Sequence, residues 1–204
     1  MPEFQSELKQ NPVVAILRGL RKEHASEVAE LLVESGIRIL EVPLNRDGAL
    51  DALEQIKRTH GDVACVGAGT VVSRKTLKLA ADAGADFCLA PNLNESILLE
   101  AKELGINFVP GALTPSEVFR AIELGSKVIK IFPFDQFGYA SLRALLQVMP
   151  EGTDLLGVGG LKIDDLDEAL SNGLAGIGVG SSLYRAGMEP SELRVYLEKN
   201  ERHS

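Results

Sequence analysis

One lysine lies inside an otherwise apolar segment, Val128-Ile129-Lys130-Ile131-Phe132. Side chains alternate along a strand with a period of two, so Lys130 shares a face with Val128 and Phe132. Burying an ammonium group is costly unless it is paired or loses its proton. An amine with a depressed pKa is the form that attacks a carbonyl. The segment therefore predicts a nucleophilic amine, and the structural alternative is a strand lysine that reaches water or pairs with a buried acid.

A glutamate is the second charged residue of this kind, because Glu41 ends the apolar run Ile37-Arg38-Ile39-Leu40-Glu41. Burial raises the pKa of a carboxyl group and suits it to general acid and base catalysis. The alternative is a structural ion pair with Arg18 or Lys130. The two interpretations are compatible, because a catalytic base can rest in a salt bridge.

Further polar groups follow other apolar runs. Arg18 follows Val13–Leu17, and a guanidinium group there suits bidentate binding of a carboxylate or phosphate, although a surface salt bridge is the alternative. Thr70 follows a glycine turn, where its hydroxyl can bind a substrate carboxylate or hydroxyl or simply cap a helix. These positions predict a polar rim at one end of the strands.

Two late glycine loops complete this rim. Gly159 and Gly160 follow the seventh apolar run, and Gly180 and Ser181 follow the eighth, before a short stretch predicted to be helical. The corresponding loops of (β/α)8 barrels commonly hold phosphate, and glycine lets backbone N–H groups approach the anion. We therefore predict a phosphate site at these two loops.

The elements that must position these residues recur along the chain as a short apolar run, a turn and an amphipathic helix. Continuous apolar runs are typical of parallel strands buried on both faces. There are eight: Val13–Leu17, Ile37–Val42, Val63–Val66, Phe87–Ala90, Ile106–Val109, Val128–Phe132, Leu155–Val158 and Leu174–Val179. Helices are predicted at Lys22–Glu34, Ser73–Ala83, Asn94–Leu104 and Ser116–Leu124, the last with Thr114 as N-cap and Pro115 at its first position.

This alternation predicts an α/β fold, a single-domain (β/α)8 TIM barrel over residues 1–204. A doubly wound open sheet is the alternative architecture. Its dinucleotide fingerprint would need a third glycine after Gly67-Ala68-Gly69, and Val72 occupies that position.

The composition narrows the classes of partner. The net charge is -8 without a basic block, so we expect no nucleic acid. The first ten residues lack an apolar signal core and no apolar run nears about 20 residues, so we expect a cytoplasmic protein without membrane contact.

Cys65 and Cys88 are interpreted as reduced buried thiols. His24, His60 and His203 show no ligand spacing, so no metal or cofactor is expected.

Several motifs together resemble the 2-keto-3-deoxy-6-phosphogluconate and 2-keto-3-deoxy-6-phosphogalactonate aldolases. They are Glu41-Val-Pro-Leu-Asn45, Val66-Gly-Ala-Gly-Thr70, Pro110-Gly-Ala-Leu-Thr-Pro-Ser-Glu117, Lys130-Ile-Phe-Pro133 and Val158-Gly-Gly160. The resemblance implies a metal-independent class I aldolase on a small barrel, a homotrimer whose partner is a phosphorylated keto acid. It implies that Lys130 forms the Schiff base and Glu41 shuttles protons. It also implies that Arg18 and Thr70 contact the carboxylate, and that Gly160, Gly180 and Ser181 hold the phosphate.

Details of the motifs favour the galactonate type. The resemblance places Asn45 and Val158 where gluconate-type enzymes have arginine and threonine, and we assign these two residues and Phe132 to substrate binding. Phe137-Gly138 and Leu183–Gly187 also resemble the galactonate type, whereas Arg46 departs from it. We predict cleavage of 2-dehydro-3-deoxy-6-phosphogalactonate to pyruvate and D-glyceraldehyde 3-phosphate. The gluconate epimer and 4-hydroxy-2-oxoglutarate remain alternative substrates, and a phosphosugar isomerase or epimerase or a non-catalytic phosphate-binding barrel are alternatives of other classes.

Overall fold

The computed structural model describes residues 4–201, so His203 lies outside the described residues. Within this range there are nine parallel strands and nine α-helices, which alternate except where two short strands follow each other directly. The strands are β1 (Val13–Ile16), β2 (Ile39–Pro43), β3 (Cys65–Gly69), β4 (Phe87–Leu89), β5 (Asn107–Val109), β6 (Gly111–Ala112), β7 (Val128–Ile131), β8 (Asp154–Val158) and β9 (Gly176–Val179). The helices are α1 (Phe4–Gln10), α2 (Lys22–Glu34), α3 (Ala49–His60), α4 (Arg74–Asp82), α5 (Glu95–Glu103), α6 (Pro115–Glu123), α7 (Phe134–Leu146), α8 (Leu166–Ser171) and α9 (Pro190–Glu201), and a 3-10 turn at Ile163–Asp165 precedes α8.

The strands form a ring of eight positions, one of which is divided. The sheet order is β5-β4-β3-β2-β1-β9-β8-β7-β6, and only Pro110 separates the terminal strands β5 and β6. Proline has no N–H to contribute to a ladder, which explains the break. The ring is nevertheless closed, because β5 pairs with β4 and β6 pairs with β7. On the β7 side, the N–H of Lys130 donates to the carbonyl of Pro110 at 2.9 Å and that of Phe132 donates to Ala112 at 3.0 Å. The predicted (β/α)8 barrel is confirmed.

Side chains on the strands separate into two apolar layers. The inner layer fills the barrel and the outer layer packs beneath the helices, as the strand period of two requires. Helix α1 lies against the inner layer: Phe4 and Leu8 are buried, and the rings of Phe4 and Phe87 lie 4.4 Å apart between centroids. The sequence patterns did not predict this helix.

The chain differs from its predicted pattern in two places near the site. The glycine segment after the third apolar run is strand as far as Gly69, because it continues the ladder with β2, in which Pro43 pairs with Gly69. The predicted helical stretch after Ser181 is a single turn, in which the N–H groups of Leu183 and Tyr184 both donate to the carbonyl of Gly180 at 2.9 Å.

The predicted helices agree closely with the observed ones. Lys22–Glu34 matches α2, and α4, α5 and α6 begin and end within a residue of their predictions. The hydroxyl of Thr114 accepts the N–H of Glu117, and Pro115 is the first residue of α6, as predicted. None of the helices within residues 4–201 is long and apolar enough to cross a membrane.

Candidate active site

Strand β7 places Lys130 inside the barrel. Its neighbours on the same face, Val128 and Phe132, belong to the inner layer, and Lys130 is only 8% exposed. The Nζ atom lies 4.7 Å from the centroid of the Phe132 ring, within reach of a cation–π contact. Burial lowers the pKa of the amine, the Glu41 carboxylate opposes this effect, and the Arg18 charge lowers the pKa further. A larger fraction of Lys130 is therefore neutral than would be the case for an exposed lysine.

Strand β2 places Glu41 inside the same barrel, where it is only 3% exposed. Burial raises the pKa of its carboxyl group to about 7, although the charges of Lys130 and Arg18 oppose the rise. Among the described residues, Oε2 of Glu41 has no hydrogen-bond partner. A carboxyl group of this pKa can accept and return a proton near neutral pH.

The two strands lie on opposite sides of the ring. Strands β1, β9 and β8 separate β2 from β7 in one direction, and β3, β4 and the divided β5–β6 strand separate them in the other. Glu41 and Lys130 therefore approach each other across the lumen, and each charge shifts the pKa of the other group.

The end of β3 lies beside Glu41. A Cβ atom added to Gly69 would lie 1.1 Å from Oε1 of Glu41, so the carboxyl group occupies that space. Thr70 follows with a φ of 56°, in the left-handed region that β-branched residues rarely adopt. Such a backbone costs on the order of 1–3 kcal/mol, and strain of this kind is concentrated at functional sites.

A cavity of about 580 Å³ opens next to this pair. The predicted residues that line it are Arg18, Phe132, Val158, Gly159, Gly160, Gly180 and Ser181. The structure thus brings the predicted carboxylate-binding arginine and both glycine loops to one space. Val158 is buried in its wall, where it presents only methyl groups to a ligand.

Two consecutive glycines shape the loop after β8. Gly159 and Gly160 have φ values of 106° and 80°, and added Cβ atoms would lie 3.1 Å from the Cα of Pro133 and 2.7 Å from the Cβ of Asp135. Any larger residue would be strained or crowded there. The hydroxyl of Ser182 donates to the carbonyl of Leu161 at 3.2 Å and so joins this loop to the one after β9.

The cavity lining does not include four of the predicted residues, Lys130, Glu41, Thr70 and Asn45. Asn45 lies with Arg46 in an exposed bend after β2. Two charged residues of the lining were absent from the predicted site, Lys162 and Arg185. Their positions shortly after the two glycine loops were the signal that would have identified them.

Within residues 4–201, no group of three or more His, Cys, Asp or Glu residues is arranged to hold a metal ion. Cys65 and Cys88 are free thiols, and burial raises the pKa of each to about 12.

The fold and the site together define a class: a (β/α)8-barrel protein with a buried amine and carboxyl group beside a cavity suited to anions. The model of the KDPG and KHG aldolase family matches residues 4–198. The chain belongs to this family of carbon–carbon lyases, named for 2-keto-3-deoxy-6-phosphogluconate and 4-hydroxy-2-oxoglutarate.

Individual relatives include both substrate types. The chain is 34% identical over 176 residues, 86% of each chain, to 2-dehydro-3-deoxy-6-phosphogalactonate aldolase of Escherichia coli K12. It is 38% identical over 134 residues, 66% of this chain and 62% of the relative, to KHG/KDPG aldolase of the same organism. The solved structure of KDPG aldolase from Legionella pneumophila, with pyruvate captured at low pH as a covalent carbinolamine intermediate, is 27% identical, covers 95% of each chain and has a TM-score of 0.84.

Proposed function

We propose that the protein is a class I aldolase that cleaves 2-dehydro-3-deoxy-6-phosphogalactonate to pyruvate and D-glyceraldehyde 3-phosphate. The observation that carries the proposal is the buried amine of Lys130, with its lowered pKa, across the barrel from Glu41. An amine of this kind has a larger neutral fraction at physiological pH than an exposed lysine, and the neutral form is the nucleophile.

In the first step, the Nζ lone pair of Lys130 attacks the C2 carbonyl of the keto acid. The carbinolamine accepts a proton from the carboxyl group of Glu41 and loses its hydroxyl as water. The protonated imine that remains accepts electrons from the C3–C4 bond. The Phe132 ring, 4.7 Å from Nζ, offers its face to this positive charge. Because Lys130 is only 8% exposed, few water molecules can reach the amine.

In the second step, ionised Glu41 takes the proton of the C4 hydroxyl, through a water molecule where direct contact is lacking. The C3–C4 bond breaks, its electron pair moves into the enamine, and glyceraldehyde 3-phosphate leaves. Glu41 then returns the proton to C3, and hydrolysis of the imine frees pyruvate and the amine. A pKa of about 7 suits both halves of this exchange.

The cavity offers separate partners to the two ends of the substrate. Arg18 lies close enough to Lys130 and Glu41 to shift their pKa values, so its guanidinium suits the C1 carboxylate beside the reacting ketone. Thr70 follows Gly69, which lies against Glu41, so its hydroxyl is a second candidate partner for the carboxylate. Gly159, Gly160, Gly180 and Ser181 suit the phosphate.

The galactonate epimer is favoured because Val158 in the cavity wall cannot donate a hydrogen bond to the C4 hydroxyl. One hydrogen bond contributes about 0.5–1.5 kcal/mol net, so we expect a preference rather than strict selection. The gluconate epimer is the second candidate, because identity to KHG/KDPG aldolase reaches 38% over 134 residues. Arg46 follows Asn45, where it can replace an arginine at the neighbouring position, and this also supports the second candidate.

The chemistry is tested by reduction with borohydride in the presence of pyruvate. We expect a pyruvyl adduct on the peptide that contains Lys130, detected by mass spectrometry, and no adduct in Lys130→Met. An active Lys130→Met variant would overturn the proposal in favour of an isomerase or epimerase. Parallel kcat/KM values for the two epimers then identify the substrate.

The family resemblance also leads us to propose a homotrimer located in the cytoplasm. Light scattering should then give three times the chain mass of 21.9 kDa. A mass of one or two chains would refute the trimer.

A further inference from the structure

The lining of the active-site cavity carries charge of one sign. Its charged side chains are Arg18, Lys162 and Arg185, and no aspartate or glutamate belongs to the lining among the described residues. The chain as a whole has a net charge of -8. A purely cationic cavity in an acidic protein indicates a ligand with more than one negative charge.

The three cations divide between the two ends of the proposed substrate site. Arg18 follows β1 and shifts the pKa values of Lys130 and Glu41, so it belongs to the end where the amine lies. Lys162 comes two residues after Gly160, and Arg185 comes four residues after Ser181. Both therefore follow the loops that suit the phosphate.

Arg185 is held in place from one side. Its Nη2 donates to Oε1 of Glu192 at 3.3 Å, and Oε2 of Glu192 accepts the backbone N–H of Glu189 at 2.9 Å at the start of α9. That backbone contact and Arg185 lower the pKa of the Glu192 carboxyl group, which keeps it ionised. One of the five guanidinium N–H donors is thus engaged by α9, which leaves the others to bind a ligand.

We propose that Lys162 and Arg185 bind the phosphate dianion of the substrate and make the enzyme select phosphorylated over unphosphorylated keto acids. This inference rests on the proposed function and adds two residues to it. The backbone N–H groups of the glycine loops are neutral dipoles, whereas a phosphate monoester carries about 1.5 to 2 negative charges at pH 7. Cationic side chains supply the opposite charge, and Arg185 adds the geometry for a bidentate contact.

The test compares Lys162→Gln and Arg185→Gln with Arg58→Gln, which removes an equal charge from an exposed position on α3. We expect KM for the phosphorylated substrate to rise about 10-fold or more in each of the first two variants, with kcat changed less than about 3-fold. The inhibition constant of inorganic phosphate should rise in parallel. Arg58→Gln should match the parent enzyme, and Arg185→Lys should recover part of the loss.

Pyruvate trapping by borohydride separates this inference from the proposed function. Pyruvate has no phosphate, so the trapping rate should be unchanged in Lys162→Gln and Arg185→Gln. If the parent enzyme is trapped and these variants keep its KM and phosphate inhibition, the inference is overturned and the aldolase proposal stands. Slower trapping in the variants would also overturn the inference, because a general loss of structure would then explain the increase in KM. If the parent enzyme is not trapped, the proposed function itself fails.

Discussion

Gly69 and Glu41 share one small space: a Cβ atom at position 69 would lie 1.1 Å from Oε1 of the carboxyl group. The contact joins β3 to β2 at the point where the proposed proton carrier lies. The position of the carboxyl group therefore depends on the absence of a side chain from the neighbouring strand.

We expect Gly69→Ala to reduce kcat by about 100-fold or more, because the added methyl group must displace the carboxyl group from its place. Overpacking should also lower the free energy of unfolding by about 1–3 kcal/mol. Gly157→Ala is the matched control, since its Cβ would meet the side chains of Leu174 and Leu161 instead. Steady-state kinetics and thermal unfolding of both variants check this, and equal losses of kcat would contradict it.

The pH dependence should report Glu41. Its pKa of about 7 predicts that kcat/KM rises as the pH increases through about 7, because the base must be ionised to accept the C4 proton. Glu41→Gln should lower kcat/KM by about 100- to 10,000-fold and abolish this limb. If the residual kcat/KM of Glu41→Gln still rose with a midpoint near pH 7, a group other than Glu41 would cause the pH dependence.

The same group links stability to pH. The folded pKa of about 7 lies above the ordinary value of 4.5, so the folded state holds an extra proton between these limits. The contribution of Glu41 to the free energy of unfolding is then greatest below pH 4.5. This contribution decreases by on the order of 3 kcal/mol as the pH rises to 7. The difference in unfolding free energy between the parent enzyme and Glu41→Gln, measured from pH 5 to 8, isolates this contribution.

Lys130→Met should stabilise the protein while it abolishes catalysis. The substitution replaces a desolvated amine by an apolar chain of similar length within the inner layer. We expect a gain of about 1–2 kcal/mol in unfolding free energy at pH 6, where Glu41 is mostly protonated and does not need the charge of a partner. The exposed neighbour Lys127 supplies the control, because Lys127→Met should give no gain. A loss of stability in Lys130→Met would mean that the charged pair supports the fold.

Val158→Thr should move the preference between epimers toward the gluconate substrate. A hydroxyl in the cavity wall adds a donor near C4, and one hydrogen bond changes the ratio of the two kcat/KM values by about 2- to 10-fold. Val128→Thr lies on the same inner face but outside the cavity lining, so it should leave the ratio unchanged. The ratio is measured on both epimers with each variant, and an unchanged ratio in Val158→Thr would show that selection at C4 occurs elsewhere.

The sequence predicted those features that depend on local patterns. Continuous apolar runs located the strands. The period of two along a strand placed Lys130 on the same face as Val128 and Phe132, and this face lines the barrel interior. The capping residues Thr114 and Pro115 identified the start of α6. This was possible because the capping partner of Thr114, Glu117, lies only three residues further along the chain.

The features it missed depend on contacts between distant segments. Nothing local to Gly69 reveals that a carboxyl group 28 positions earlier fills its missing side chain. The segment of α1 lacks a strong pattern, and the packing of Phe4 against Phe87 stabilises this helix. Lys162 and Arg185 follow the predicted phosphate loops in the sequence, but only the fold shows that both line one cavity.

The divided fifth position of the barrel has a consequence for hydration. Strand β7 pairs with the divided strand, and the backbone N–H of Lys130 donates to the carbonyl of Pro110, the residue that divides it. If β7 separated from the divided strand, water would enter beside the amine, and burial would no longer lower the pKa of Lys130. The reactivity of Lys130 therefore depends on the pairing of strands that keeps water out of the barrel.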